Sequence, residues 1–400
     1  MAKIATRRRS RTLPPGVREE TSRTIKRAVE SMLWGRAAGR CEFSGCNKIL
    51  SRSSVTQEQV NTSQKAHIHS FKAAGPRGHE EITEEELNDI SNLILICHEC
   101  HRKIDQHLDG GRYQASLLRQ MKADHERRVE IVTGLDPGRR SHVLFYGANI
   151  GEQSAPFDFN EAAAAMFPER YPAEAGPVAL GLTDSSLQDK SPEFWRSEAR
   201  QLATRFERRV RERVSQREID HLSVFALAPQ PLLVLLGTLL GDIVPADVYQ
   251  RHREPTTWAW PTSAVPLPFE VHEPESFDGP PALVLALSAT VTPDRIKAVL
   301  GADARIWSVT VARPGNDLIK SREHLSQLRA VLRGLFDRIK AVHGQATTLH
   351  VFPVVSVSAA VEFGRARMPK ADMPWCIYDQ NNQRGGFVPT IDIPLGGDQQ

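Results

Sequence analysis

Hydrophobic positions in the first third of the chain are sparse and locally periodic. Ile25, Val29, Met32 and Leu33 recur at helical spacing, which predicts a helix over 19–38. Ala66-His-Ile-His-Ser-Phe71 has the length and β-branched content of a short strand, broken by Gly75-Pro-Arg-Gly78, and 93–97 predicts a second. A helix is expected to start near Cys100, and another spans 117–132 with one polar side. Residues 133–140 are turn formers without apolar periodicity and read as a linker. Beyond it strands and helices alternate. Buried strands are predicted at 142–146, 178–182, 223–227, 283–286, 306–311 and 348–352, with helices at 194–214, 232–240, 293–300 and 321–342. Alternation of this kind predicts an α/β domain with a largely parallel sheet, long enough for two Rossmann-like halves. The domains are therefore placed at 1–136 and 142–400.

Composition narrows the class. Four hundred residues exceed one ordinary core, and 40% hydrophobic with 25% charged residues is the balance of a globular protein. The longest apolar run, Leu232 to Leu240, is interrupted by Gly237 and Thr238 and falls far short of the roughly 20 residues of a membrane helix. The basic start runs into Thr-Leu-Pro-Pro rather than an apolar core, so no signal peptide and a cytoplasmic location are expected. The net charge is +3, but residues 1–136 hold 23 Lys/Arg against 18 Asp/Glu, and six of those acids crowd between Glu80 and Asp89. Lys3, Arg7, Arg8, Arg9 and Arg11 form a basic arm without an acid. A basic segment suits a polyanion, most commonly nucleic acid.

Four of the five cysteines form two short-range pairs, Cys41-x4-Cys46 and Cys97-x2-Cys100. Tetrahedral Zn²⁺ takes four thiolates, and two such pairs supply them, so a structural zinc is expected. Cys376, following Trp375 in an apolar stretch, reads as core. Between the pairs stand His67 on the first strand, Asn92 opening the second and His101 directly after Cys100. Asp105 follows His101 by four residues, so both project from one helical face and could hold one divalent cation. Phosphodiester hydrolysis needs a base to activate water and a metal to stabilise the developing charge. His67 suits the base, with Asn92 orienting it or fixing the loop backbone. His69 shares the strand face and is the rival base. His79, His98 and His107 read as exposed polar residues.

The order C-x4-C, A-H-I, N-L, C-x2-C-H-x3-D over about residues 30–130 resembles the HNH endonucleases of ββα-metal fold. The resemblance implies that His67 is the general base and Asn92 the supporting asparagine. It implies that His101, with Asp105, holds a catalytic Mg²⁺ or another divalent cation, and that the substrate is double-stranded DNA. Many members carry a metal ligand just before the base, where this chain has Ala66.

Further on, His221–Pro231 runs a strand into a turn and helix, Tyr249-Gln-Arg-His-Arg253 precedes Trp258-Ala-Trp260, and Leu349–Val354 leads towards Gly364-Arg365 and Tyr378-Asp379. Strand ends followed by turns are where open α/β sheets bind ligands, and aromatics beside Arg and His suit a nucleotide. No P-loop or G-x-G-x-x-G is present. Residues 142–400 resemble a SAVED domain, the sensor module of CBASS anti-phage defence. That resemblance implies two fused CARF-like, Rossmann-like units and a cyclic di- or trinucleotide activator, a cyclic dinucleotide foremost. It also implies a partner cyclic-nucleotide synthase and activation through homo-oligomerisation. Arg253, Trp258, Trp260 and Tyr378 are the candidate ligand contacts. The residues alone also fit a non-enzymatic regulator whose cysteines form a zinc ribbon, or a sensor domain with a different trigger.

Overall fold

The computed structural model describes residues 24–70, 77–78, 82–106, 112–149, 156–181, 189, 191–261 and 264–395. The basic arm, Phe71, Gly75, His79 and His107 lie outside them. The chain divides into two compact units, Met1–Leu135 and Asp136–Gln400.

In the first unit, helix α1 (Arg27–Arg36) precedes strand β1 (Ser63–His67). A short α2 (Glu84–Leu87) leads to β2 (Leu93–Cys97), α3 (His98–Asp105) and α4 (Ala115–Thr133). β1 pairs antiparallel with β2 in the register Ser63↔Cys97 to His67↔Leu93. The strand was expected at 66–71 but starts three residues earlier and ends at His67. The backbone there leaves the ladder to be gripped by a side chain, as described below. β2 is buried along its whole length, as expected of a short continuous apolar run. Leu33, Leu50, Ile68, Ile94, Ile96 and Ile104 form a small core beside the cysteines.

The second unit holds two mainly parallel sheets. The first uses β3 (Arg140–Gly147), β4 (Tyr171–Pro172), β5 (Val178–Ala179), β6 (Leu222–Leu227) and β7 (Ala246–Val248). Its strand order is β4-β3-β6-β7, with β5 also on β3. Helices α5 (Phe159–Met166), α6 (Pro192–Phe206), α7 (Glu212–Ser215) and α8 (Gln230–Leu240) accompany it, a π-helical turn at Glu207–Arg211 joining α6 to α7. The small hairpin of β8 (His252–Arg253) and β9 (Thr256–Thr257) follows. The second sheet comprises β10 (Glu270–His272), β11 (Pro281–Ala286), β12 (Arg305–Thr310), β13 (Leu349–Val354), β14 (Trp375–Asn381) and β15 (Gly386–Ile393). Its order is β10-β12-β11-β13-β14-β15, antiparallel only at the two edge pairings. Helices α9 (Pro293–Leu300), α10 (Arg322–His343) and α11 (Val357–Arg365) complete the half.

A close helix crossing helps to join the halves. Helix α8 is apolar almost all round and buries most of its residues, as a helix inside a core does. It meets α11 at Gly237 and Gly364, where a Cβ on either would run into the backbone of the other helix. Glycine at both positions is what lets the two backbones touch. The fold is thus mixed α/β, and no described helix is long and apolar enough to cross a membrane.

Candidate functional site

The first unit gathers its cysteines. Cys41 and Cys46 flank a tight turn in which the Cys46 N–H donates to the Phe43 carbonyl. Cys97 caps α3 and Cys100 lies in that helix's first turn. All four Sγ atoms lie within 4.8 Å of one another, and Cys46 Sγ is 3.8 Å from Cys97 Sγ. A tetrahedral centre with Zn–S bonds of about 2.3 Å has S···S edges of about 3.8 Å. The donor set therefore fits zinc. Burial pushes the Cys41 thiol up to about 12 and raises Cys100 further. Burial also opposes ionisation of Cys97, but N–H and thiol donors around it, the Cys100 amide first, hold it below the usual range. A dication would supply the charge that lets all four ionise together. Sequence reasoning missed Glu42, which is buried and holds no ligand position: its Oε2 accepts the Leu95 N–H at 2.5 Å and ties the Cys41 turn to β2.

Strand β1 alternates. Ala66 and Ile68 face the core, whereas His67 and His69 are half-buried on the other side. Asn92, 4% exposed, braces the backbone beyond β1. Its Oδ1 accepts the His69 N–H at 2.8 Å, and its Nδ2 donates to the carbonyls of His69 (3.3 Å) and Leu87 (3.0 Å). Of the two roles expected for Asn92, the geometry displays the backbone one. The His67 ring instead meets Asn88, Nε2 to Oδ1 at 3.2 Å. On α3, His101 Nδ1 lies 3.1 Å from Asp105 Oδ2, as the four-residue spacing requires. These two offer an imidazole nitrogen and a carboxylate to a cation. Among the described residues, however, only the four cysteines make a group of three or more ligand atoms so close together. Arg77 was missed by sequence reasoning. Its Nε donates to the Ile68 carbonyl at 2.9 Å, and burial lowers its pKa while Asp105 opposes the shift. His98 is exposed.

In the second unit the four candidate contacts separate. Arg253 is exposed on β8. Trp258 is 1% exposed, parallel to Phe157 at 6.1 Å and edge-on to Phe225 at 5.2 Å. Tyr378 belongs to a different cluster, stacked on Phe352 at 4.4 Å with its hydroxyl 3.1 Å from His350 Nδ1. Trp260 joins a polar constellation beside a cleft. Its ring lies 6.4 Å from Tyr249 and 5.6 Å from His252. Arg322, at the start of α10, donates to the Tyr249 hydroxyl at 2.7 Å. His252 Nδ1 meets Asp317 at 3.1 Å, and burial lowers the His252 pKa against the pull of that carboxylate.

Three nitrogens here are buried without a hydrogen-bond partner: Trp260 Nε1, His252 Nε2 and Arg322 Nε. Unpaired buried polar atoms are uncommon and costly. Trp260 and Arg322 line a cleft of about 410 Å³ with Phe167, Pro168, Glu169 and Ser321. The neighbouring Gln250 accepts from the Ser358 hydroxyl at 2.6 Å and so ties this segment to α11. Such a place can take a ligand with flat rings and oxygen acceptors. Tyr249, His252 and Trp260 stood in the segments the sequence singled out. Asp317 and Arg322 did not, because only the fold brings the start of α10 to them.

Residues 202–393 match the family described as the SMODS-associated and fused to various effectors sensor domain, SAVED. Among solved structures, the chain resembles the Cap4 SAVED/CARF-domain receptor of Acinetobacter baumannii with the cyclic trinucleotide 2'3'3'-cAAA, at 10% identity and TM-score 0.40, covering 78% of this chain and 65% of that one. The same receptor with 3'3'3'-cAAA gives 10% and 0.38 over the same shares. The Cap4 receptor of Moraxella osloensis gives 11% and 0.37, over 70% of this chain and 59% of that one. The chain thus spans 59–65% of the length of those receptors. No curated protein matches the sequence. Residues 202–393 of this chain are a SAVED domain.

Proposed function

We propose that this protein is an anti-phage effector of the CBASS type, a metal-dependent endonuclease for double-stranded DNA released when its SAVED domain binds a cyclic oligonucleotide. The observation that carries the sensor half is the SAVED match over 202–393. The buried, unpartnered nitrogens of Trp260, His252 and Arg322 support a ligand there. Ring faces of a base would lie on Trp260, and phosphate oxygens would meet Arg322.

The nuclease half rests on His67 at the end of β1, Asn92 directly before β2, and His101 and Asp105 on α3. His67 takes a proton from water as that water attacks phosphorus, and the P–O3′ bond breaks to release a 3′-alkoxide that takes up a proton from solvent. Asn92 keeps the backbone after His67 in place. His101 and Asp105 would hold a Mg²⁺ or similar cation, which stabilises the developing charge on the phosphate when bound.

The test is plasmid cleavage by the full chain with Mg²⁺ and a panel of cyclic di- and trinucleotides, the two cyclic triadenylates included. Cleavage that needs both a cyclic nucleotide and the metal, and is lost in His67→Ala, is the expected result. Retained cutting by His67→Ala with loss in His69→Ala would move the base to His69. DNA binding without any cleavage would favour a regulator. Light scattering on the same samples is expected to show a larger species only with the activating nucleotide.

A further inference from the structure

We infer that Asn88 is a positioning residue for His67, setting which imidazole nitrogen carries the proton; this rests on the nuclease reading above. Asn88 lies between α2 and the short turn Ile90–Asn92, and its side-chain oxygen is 3.2 Å from His67 Nε2. An amide oxygen only accepts, so His67 Nε2 carries the hydrogen and donates it. In a neutral imidazole the lone pair then resides on Nδ1. Nδ1 is therefore the atom that takes the proton from water. The imidazolium formed keeps its Nε2–H on Asn88, so the bond persists through the step.

The rival histidine is set the opposite way. His69 Nδ1 lies 3.2 Å from the Arg77 carbonyl, another obligate acceptor, which leaves the His69 lone pair on Nε2. His67 at the end of β1 and His69 just beyond it thus carry their protons on different nitrogens.

Asn88 is itself held on both sides. The carbonyl of Leu87, before it, accepts from Asn92 Nδ2 at 3.0 Å, and the Leu87 side chain is 7% exposed. Asp89, after it, accepts the Ser91 N–H at 2.9 Å. Asn92 grips His69 with the same side chain. One asparagine therefore fixes the backbone next to both members of the Asn88–His67 pair. That is the arrangement a preorganised base needs.

The experiment is ¹⁵N–¹H spectroscopy of histidine-labelled full-length protein, with His67 assigned by its disappearance in His67→Gln. The wild type is expected to show His67 as the Nε2–H tautomer, and Asn88→Leu to show a mixed or inverted one. Alongside, plasmid cleavage with Mg²⁺ and cyclic triadenylate should fall roughly 10- to 100-fold in kcat for Asn88→Leu at unchanged KM, less than the roughly 100- to 10,000-fold that a general base contributes as a whole. Asn88→Asp, which keeps an acceptor oxygen, should recover most of it. A wild-type His67 protonated on Nδ1 would overturn the inference even if Asn88→Leu failed to fold. So would an Asn88→Leu variant with unchanged tautomer and kcat. The spectrum needs no cleavage, so a wild type that never cuts defeats the nuclease reading separately.

Discussion

The Asn92 side chain satisfies both backbone polar groups of His69, accepting its N–H at 2.8 Å and donating to its carbonyl at 3.3 Å. Together with the Leu87 carbonyl it makes three hydrogen bonds while 4% exposed. Removing a buried partner strands the groups it served, at about 1–3 kcal/mol each. Asn92→Ala is accordingly expected to lower stability of the first unit by about 2–4 kcal/mol, since part of the loss is recovered by water entering. Asn92→Asp supplies the acceptor but not the donor and should fall between. Urea denaturation monitored in the first unit distinguishes them, and equal stability of all three proteins would refute the bracing role.

Cysteine loss should act through folding. With Sγ atoms within 4.8 Å and a core of few large side chains, the first unit is expected to depend on a bound metal as small zinc modules do. Cys97→Ser or Cys100→Ser should lose zinc and unfold residues 24–133, while the SAVED domain keeps its own thermal transition. Elemental analysis should find about one zinc per chain in the wild type. A wild type without zinc, or a serine variant with an intact first unit, contradicts this.

Stability should also carry a pH signature from His221. Its Nδ1 is 2.8 Å from the Ser141 hydroxyl at the start of the first sheet, and burial drives its pKa down to about 4, Asp247 opposing. The unfolded imidazole titrates near 6.5. Between those values the unfolded chain binds a proton that the folded one refuses, so the contribution is complete above about pH 6.5 and lost as pH falls towards 4. Its size is on the order of 3 kcal/mol. Asp379 works against it. Burial raises that carboxyl to about 7, so its folded form holds a proton that the unfolded one releases, and stability falls as pH rises from about 4 to 7. The measurable quantity is therefore the difference between wild type and His221→Asn. Wild-type stability should rise more steeply from pH 4.5 to 6.5; parallel curves would exclude His221 as the source.

Regular elements were legible where one residue pattern dominated. The strand at Leu93–Cys97 and the helix at Pro293–Leu300 fall where periodicity placed them, because a continuous apolar run and a Pro-led amphipathic turn each have one good solution. β1 was displaced because Asn92, distant in sequence, replaces its strand partner at His69. The pairing of β14 with β15 went unread: an antiparallel edge with a bulge between Ile377 and Tyr378 breaks the two-residue alternation. Cysteine spacing carried the four-cysteine cluster, since the spacing of four thiols around one cation is nearly fixed by chemistry. The ligand constellation was half visible. Aromatic composition drew attention to both tryptophans, but only burial separates Trp258, packed among Phe157 and Phe225, from Trp260 beside the cleft.

That separation leads to a last expectation. Trp260 and Arg322 line the cleft and hold unpaired nitrogens, whereas Trp258 is core. Trp260→Phe keeps a ring but removes the Nε1–H, and Arg322→Lys keeps charge but removes Nε. Each should weaken cyclic-nucleotide binding by about 1–3 kcal/mol, roughly 5- to 150-fold, with the fold intact. Trp258→Ala should instead destabilise the domain by about 3–5 kcal/mol through the cavity it leaves. Switching from about 1% to 99% active requires roughly 5.5 kcal/mol of differential binding, more than either contact supplies. Each single variant should therefore raise the nucleotide concentration needed for cleavage without abolishing the maximum, and the double variant should fail to switch at any soluble concentration. Calorimetric titration with the activating nucleotide and a cleavage dose-response check both halves. Unchanged affinity in Trp260→Phe and Arg322→Lys would remove this cleft from the sensing mechanism.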